Sequence, residues 1–309
     1  MCTSLGVGDL ISDEMRKLER KGFLNDGMSL PLLLLPFAAA LITVPWPLPS
    51  KTSLNITMGY GEVTSTRTIF AWYAATLDDL SRYSQALPAS GCAVRATTTS
   101  TAQAEGCTVA SNSGYFQFVK NPTYCTGNLV VGGTVQVWSS DTLAMVSVTK
   151  NVTLLGSIAK EDLSSLGVVH AVSGSGLIQQ NGRPSREGIA QASAHEAARA
   201  GSGGAEQIAP RTLLGVDARG AFVLIAIDGV EALDLGVTMA EAAEIVSGGA
   251  RGFSFVTQHA INLDGGGSTT LSAVPGLLKG GSAALYNRPT DTDVGPISER
   301  EVTSIVCVK

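Results

Sequence analysis

The chain has 309 residues, 44% of them hydrophobic, enough for one large core or two ordinary ones and too many for a disordered protein. Its 21 Lys and Arg face 26 Asp and Glu, a net charge of -5 with no basic block, so nucleic-acid and acidic-membrane partners lack electrostatic support. Low charge (15%), 35 glycines and abundant Ser, Thr and Val favour short strands and turns over long helices.

Residues 1–28 carry mixed charge (Glu14, Arg16, Lys17, Glu19, Arg20, Lys21) and read as a solvated amphipathic helix. Leu30 to Val44 is nearly uncharged, at the upper end for a secretory signal core and short for a membrane span, and Pro45, Pro47 and Pro49 end it. It is read as a secretory signal, with Met28 as an internal start. A signal-anchor, with membrane contact through 30–44, and a buried core helix are the alternatives. Entry into the secretory pathway would make the sequons at Asn55 and Asn151 usable.

Cys2, Cys92, Cys107, Cys125 and Cys307 show neither CxxC nor Cys/His spacing, which argues against structural zinc. The four beyond the apolar segment allow two disulfides in three pairings. His170, His195 and His259 each stand alone, which argues against a histidine triad or metal cage. No metal and no cofactor is expected.

From Leu54 to Trp72 the chain alternates as strands do, and Thr76 to Leu87 reads as a short helix or a loop. Thr101 to Glu105 looks helical, Cys107 to Ser111 strand-like, and Asn112 to Gly114 a turn presenting Tyr115 and Phe116. Cys125 to Val137 is a turn and hairpin with Gly132-Gly133 at its corner, and Met145 to Leu155 and Val168 to Ile178 are two further strands. Arg183 to Gln207, rich in Ala, Gly and charge, reads as a mobile surface insertion in which Ala192 to Ala200 can coil. Arg211 to Asp228 is a hairpin with Asp217 in its turn, and Asp228-Gly229 closes the second apolar strand. Thr238 caps a helix over Met239 to Val246 with Glu241 at its third position, a capping box. Leu285 to Arg288 and Ile297 to Val308 supply the last strands.

The chain is organised around Ala260 to Leu271, AINLDGGGSTTL. A short apolar strand delivers Asp264 into Gly265, Gly266 and Gly267, where the absence of Cβ atoms lets a ligand approach the main-chain N–H groups. Ser268 and Thr269 add hydroxyl donors. This suits an anionic or polyhydroxylated ligand; the competing reading is a tight turn between strands.

In order, VASNSGYFQF, CTGNLVVGG, APRTLLGVDARGAFVLIAIDG, TMAEAAEIV, AINLDGGGSTTL, NRPTD and EREVTSIVCV resemble the blocks of the phosphodiester glycosidase domain, from about Ser90 to Lys309. The resemblance implies hydrolysis of a sugar 1-phosphodiester, releasing N-acetylglucosamine from a phosphate that stays on a mannose of a lysosomal-enzyme glycan. Its recurrent polar residues fall on Asn112, Arg211, Asp228, Glu241, Asn262, Asp264, Ser268, Asn287 and Arg300. It also implies the disulfides Cys92 with Cys125 and Cys107 with Cys307, and a secretory, Golgi or lumenal location. Unlike the animal members, no cysteine-rich module or membrane helix follows Lys309, so membrane retention would fall to the N-terminal apolar segment. The Gly276 to Pro296 stretch lacks an extra cysteine pair.

The chemistry stands without the family. The leaving group is an anion of low basicity, a phosphate's second pKa being about 6, so strong acid assistance is dispensable. A developing oxocarbenium ion needs a carboxylate, and the departing phosphate needs cations and N–H donors. Asp264 and Asp228, with Glu241, are the candidate catalytic carboxylates. Arg211, Arg300, the N–H groups of Gly265 to Gly267 and Ser268 are candidate phosphate contacts, and Asn112 and Asn287 candidate holders of sugar hydroxyls. A non-catalytic phosphosugar-binding domain of the same fold is the rival reading. A nucleotide-phosphate loop would require Lys where Gly267 stands. The expected architecture is an N-terminal segment (1–50) followed by one α+β domain (51–309) of mostly antiparallel sheets with a few packed helices; self-association is left open.

Overall fold

The computed structural model describes residues 41–46, 54–139, 143–200, 207–273, 285–291 and 297–309. The charged N-terminal segment and residues 30–40 of the apolar run lie outside the described residues. The end of that run is corrected: Ile42–Pro45 is an edge strand, antiparallel to Val152–Gly156 with Ile42 opposite Leu155. An edge tolerates Pro45, whose missing N–H costs no interior ladder bond. Among the described residues no helix is long and apolar enough to cross a membrane.

The described strands form sheets of six, eight and four strands, paired antiparallel, and the fold is α+β. Helices α1 (Thr98–Glu105), α2 (Arg186–Ala200) and α3 (Met239–Val246) complete it. The centre of the eight-stranded sheet is the expected hairpin, Arg211–Val216 against Phe222–Ile227, with Val216 opposite Phe222. Asp217 accepts the N–H groups of Arg219 and Ala221 at 2.8 and 3.0 Å and so closes its turn.

Both hairpin strands are buried throughout because each face is covered. The period of two sends Leu214, Val216, Phe222 and Leu224 into one cluster and Leu213, Val223, Ile225 and Ile227 into the other. The first cluster continues into Val146 and Leu155 of the six-stranded sheet and Val109 and Val306 of the four-stranded one. The second takes in Met239, Ala242, Ile245 and Val246 of α3 and Ile189 and Ala192 of α2. The central sheet is therefore a middle layer, with α2 and α3 on one face and the two smaller sheets against the other, while α1 packs on the four-stranded sheet.

Several sequence expectations need correcting. Thr76 to Leu87 is neither helix nor plain loop: it ends one strand, turns through a 3-10 segment at Leu80–Arg82 and re-enters a sheet as Tyr83–Ala86 beside Ile305–Val308. Met145 to Leu155 is two strands of a hairpin. Val168 to Ile178 splits into His170–Ser173 and Gly176–Gln180, which join different sheets. Leu285 to Arg288 makes a single bridge, Leu285 to Ser272, and of Ile297 to Val308 only Ile305–Val308 is a strand.

The largest correction concerns Arg183 to Gln207, read as a mobile insertion. It opens with a two-residue edge strand, Arg183–Pro184, and continues as α2, docked on the Gly176–Gln180 strand. Gly188 permits the contact: a Cβ there would lie 1.8 Å from the carbonyl oxygen of Leu177. Ser185 caps the helix, its Oγ accepting the Gly188 N–H at 3.1 Å. Residues 201–206 lie outside the described residues.

The two disulfides form as the resemblance implied. Cys92–Cys125 closes a 33-residue separation, and Cys107–Cys307 ties the last strand to the start of the four-stranded sheet across 200 residues.

Candidate active site

Asp264 leaves the buried His259–Asn262 strand and enters a cleft of about 580 Å³, its open mouth included. The main chain fixes its position: its N–H donates to Ser113 O at 3.0 Å and its carbonyl accepts from Asn112 Nδ2 at 2.6 Å. The carboxyl group is buried, and its Oδ2 has no hydrogen-bond donor among the described residues. Burial pushes its pKa up to about 6, against the opposing charges of Arg199 and Arg300 and a hydrogen bond from Ser268.

Three guanidinium groups line the same cleft. Arg211, at the start of the central hairpin, is 1% exposed and held on three sides. Its Nε donates to Val237 O at 3.0 Å, its Nη2 to Gln207 O at 2.6 Å and its Nη1 to Glu196 Oε2 at 2.5 Å. Arg199 lies 5.0 Å over the Tyr115 ring and donates to Phe116 O. Arg300 lies 5.5 Å over the Phe118 ring, with Nε and Nη2 each 2.8 Å from Asp291 oxygens. These stacked and tethered guanidiniums keep N–H groups in fixed directions, which flexible surface cations do not.

Two more carboxylates line the wall. Glu196 is paired with Arg211, and Glu231 accepts from Gln207 Nε2. Glu231 reaches the loop where Gly266 stands with φ +58, and a Cβ there would lie 2.4 Å from its Oε2. Tyr115 donates to Leu263 O at 3.1 Å; burial, reinforced by Glu196 and Asp264, holds its hydroxyl well above the ordinary phenol range.

Of the residues singled out in the sequence, the cleft brings together Asp264, Gly265, Gly266, Arg211 and Arg300. Asp228 does not join them. It floors a second cleft with Tyr73, Gly229 and Arg288, and its carboxylate accepts from Asn287 Nδ2 at 3.1 Å and from the Arg288 N–H at 3.2 Å. Burial raises its pKa in spite of those bonds. Glu241 is outside both linings: it completes the α3 capping box, its Oε2 2.8 Å from the Thr238 N–H, and accepts Thr66 Oγ1 at 2.5 Å. Burial opposes its charge, but these bonds and one from Thr68 hold its carboxyl below the usual range.

Asn112 is fully buried and structural, its Oδ1 accepting from Thr212 Oγ1 at 2.9 Å and the Thr270 N–H at 3.0 Å. Asn287 spends both ends of its amide on Asp228, Thr269 O and the Leu271 N–H. Asn262 lies beneath the cleft, its Nδ2 3.0 Å from the Tyr115 hydroxyl. Gly267, Ser268 and Thr269 are buried behind the lining. The Gly266 and Ser268 N–H groups are used within the chain, on Pro210 O at 2.9 Å and Gly265 O at 3.2 Å.

Residues 105–309 match the model of the family described as phosphodiester glycosidase. The chain belongs to the phosphodiester glycosidase family. It is 32% identical to the N-acetylglucosamine-1-phosphodiester alpha-N-acetylglucosaminidase of Bos taurus and 31% identical to that of Homo sapiens, each over 227 residues and 71% of this chain. It spans 40% and 41% of the length of those two relatives. In fold it matches the zebrafish N-acetylglucosamine-1-phosphodiester alpha-N-acetylglucosaminidase catalytic domain, auto-inhibited by its pro-peptide, with a TM-score of 0.69, 22% identity and 87% of each chain covered. A hypothetical protein from Synechocystis shares the fold with a TM-score of 0.54 at 14% identity, over 82% of this chain and 62% of that one.

Sequence reasoning on this family member missed Glu196 and Arg199 of α2, Tyr115, Phe118 and Glu231. A signal for α2 exists: Ser185 follows Pro184 and precedes an Ala-rich run in which Glu196 and Arg199, three residues apart, share a helical face.

Proposed function

We propose that the chain is a hydrolase of sugar 1-phosphodiesters acting in the Asp264 cleft, and that its substrate is N-acetylglucosamine-1-phospho-6-mannose on glycoproteins. The observation that carries this is the buried Asp264 oxygen without a donor among the described residues, in a cleft shared with three guanidiniums. Glu196 and Glu231 each hold a close partner, in Arg211 and Gln207, whereas Asp264 Oδ2 is buried and has none among the described residues.

In the reaction, the bond from the sugar anomeric carbon to the phosphate oxygen breaks and the oxygen stays with phosphate. Positive charge builds at the anomeric carbon, where ionised Asp264 stabilises it directly or as base for water. Water supplies the new hydroxyl group, and its proton leaves through Asp264 or the phosphate. Arg199 and Arg300, with the remaining N–H groups of Arg211, stabilise the departing dianion. Its low basicity is why the cleft needs cations more than a strong acid. Phe118, 59% exposed at the mouth, adds apolar surface there beside the Arg300 guanidinium that lies over its ring.

The family membership and the two named relatives support the reaction class. Two disulfides and exposed sequon residues Asn55 and Asn151 support folding on the secretory route. The test is product analysis of purified protein given N-acetylglucosamine-1-phospho-6-mannose beside a nucleotide-sugar control. Free N-acetylglucosamine and mannose 6-phosphate are expected; no release, or equal release by Asp264→Asn, overturns the reading.

A further inference from the structure

A second cleft adjoins the first, larger and unlike it in chemistry. It encloses about 1330 Å³, open mouth included, with Asp228 and Tyr73 on its floor, the exposed Arg288 beside them, and Tyr60, Ile69 and Ile297 at its rim. The wall between the clefts is short: Gly229 and Val230 line the second, and the next residue, Glu231, lines the first.

The rim is apolar and open to solvent. Tyr60 is 78% exposed, Ile69 74% and Ile297 51%, a concentration of large apolar side chains that marks a contact surface when it borders a concave site. The floor is polar and balanced, with one carboxylate beside one guanidinium. The Tyr73 hydroxyl bonds to Asp228, and the two Asp228 oxygens share the Arg288 N–H at 3.2 Å. A floor with this balance disfavours a second phosphate, which would meet the carboxylate, and gives no net attraction to a cation. It suits a neutral molecule with an apolar face for Tyr60 and hydroxyls for Asp228, Arg288 and Thr290.

Size points the same way. Small-molecule sites run at about 300–1,000 Å³. Without its open mouth the second cleft holds about 670 Å³, inside that range, against about 150 Å³ for the first, so the second has the room for a sugar ring or more. The two are also mechanically joined. Asn287 bonds Asp228 Oδ1 at 3.1 Å, Thr269 O at 2.8 Å and the Leu271 N–H at 2.8 Å, so the floor of the second cleft is tied to the chain just after the glycine loop of the first.

We propose that the Asp228 cleft is a saccharide subsite that holds the neutral sugar rings on the phosphate-retaining side of the diester. This rests on the hydrolase reading for the meaning of that side, while the binding itself can be tested without turnover. A second copy of this chain, docking on Tyr60 and Ile69, is the competing occupant.

The test uses the whole chain and a phosphate-free mannotriose, followed by saturation-transfer NMR and calorimetric titration, with sedimentation of the free protein alongside. Wild type is expected to bind in the millimolar range, and Tyr60→Ala and Asp228→Asn each to weaken binding by about tenfold, the size of losing one good contact. Asp264→Asn is expected to bind as wild type does. Tyr60 is exposed, so its variant keeps the fold even where Asp228→Asn does not. The proposal is overturned by absent saturation transfer to wild type, by binding that survives both substitutions and is lost in Asp264→Asn, or by a Tyr60-dependent dimer that takes up no sugar. Diester hydrolysis without mannotriose binding defeats this inference alone; mannotriose binding without hydrolysis defeats the reaction reading and leaves the sugar site.

Discussion

Asp264 and Asp228 carry the same local cue. Each leaves a buried apolar strand of the central sheet, and each precedes glycine. Their surroundings then diverge. Asp228 spends its oxygens on Asn287, Arg288 and Tyr73, whereas among the described residues Asp264 keeps one buried oxygen without a donor and faces guanidiniums brought by α2 and by the segment before the last strand. Placement at a strand end thus puts a carboxylate where a site can form, and partners remote in sequence decide what it does there.

The sharpest way to break this contrast is substitution at both positions on one small phosphodiester substrate. Asp264→Asn should lower kcat/KM on the order of a thousandfold, as loss of a catalytic carboxylate does. Asp228→Asn should lower it by about tenfold, transmitted through Asn287. Comparable losses would dissolve the distinction. Gly188→Ala tests the claim that α2 delivers half of the site: its Cβ would strike the Leu177 carbonyl, costing about 3 kcal/mol or more in a denaturant titration and reducing turnover with it.

A third prediction concerns the stability that the Asp264 carboxyl group contributes. Asp264 has its carboxyl raised to about 6 by burial, so the stability it contributes is fully present below its ordinary value near 4 and is lost as pH rises through about 6. Asp264→Asn should therefore be more stable than wild type at pH 7, by on the order of 2–3 kcal/mol, and equal to it below about pH 4. A variant that melts lower than wild type at pH 7 would contradict this. The smallest effect concerns the disulfides. Removing Cys107–Cys307 should cost about 1.5 kcal/mol more than removing Cys92–Cys125, because it frees a separation of 200 residues instead of 33.

Local signals were legible where a few adjacent residues suffice. The Thr238 and Glu241 capping box, the Asp217 turn and the strand running into Asp264 all formed as their sequences suggest. Legibility failed where the deciding contact spans distance. Nothing local in Arg183 to Gln207 says that Gly188 lies on the Leu177 backbone, so Glu196 and Arg199 read as surface charge. Asn112 and Asn287 look like ligand groups for the same reason: their partners Thr212, Thr270, Asp228 and Leu271 appear only once the sheets assemble. The family resemblance marked these positions without separating those that face the cleft from those that build it.

The central claim is that ionised Asp264, in a desolvated cleft, carries the reaction. The pH dependence of kcat/KM on a small sugar phosphodiester tests it most directly, since the diester does not itself titrate near neutrality. The account predicts a rate that climbs about tenfold per pH unit below about 6 and levels above it, with that limb absent from the residual activity of Asp264→Asn. A profile flat through pH 6 in the wild type, or the same climb in the variant, would contradict it.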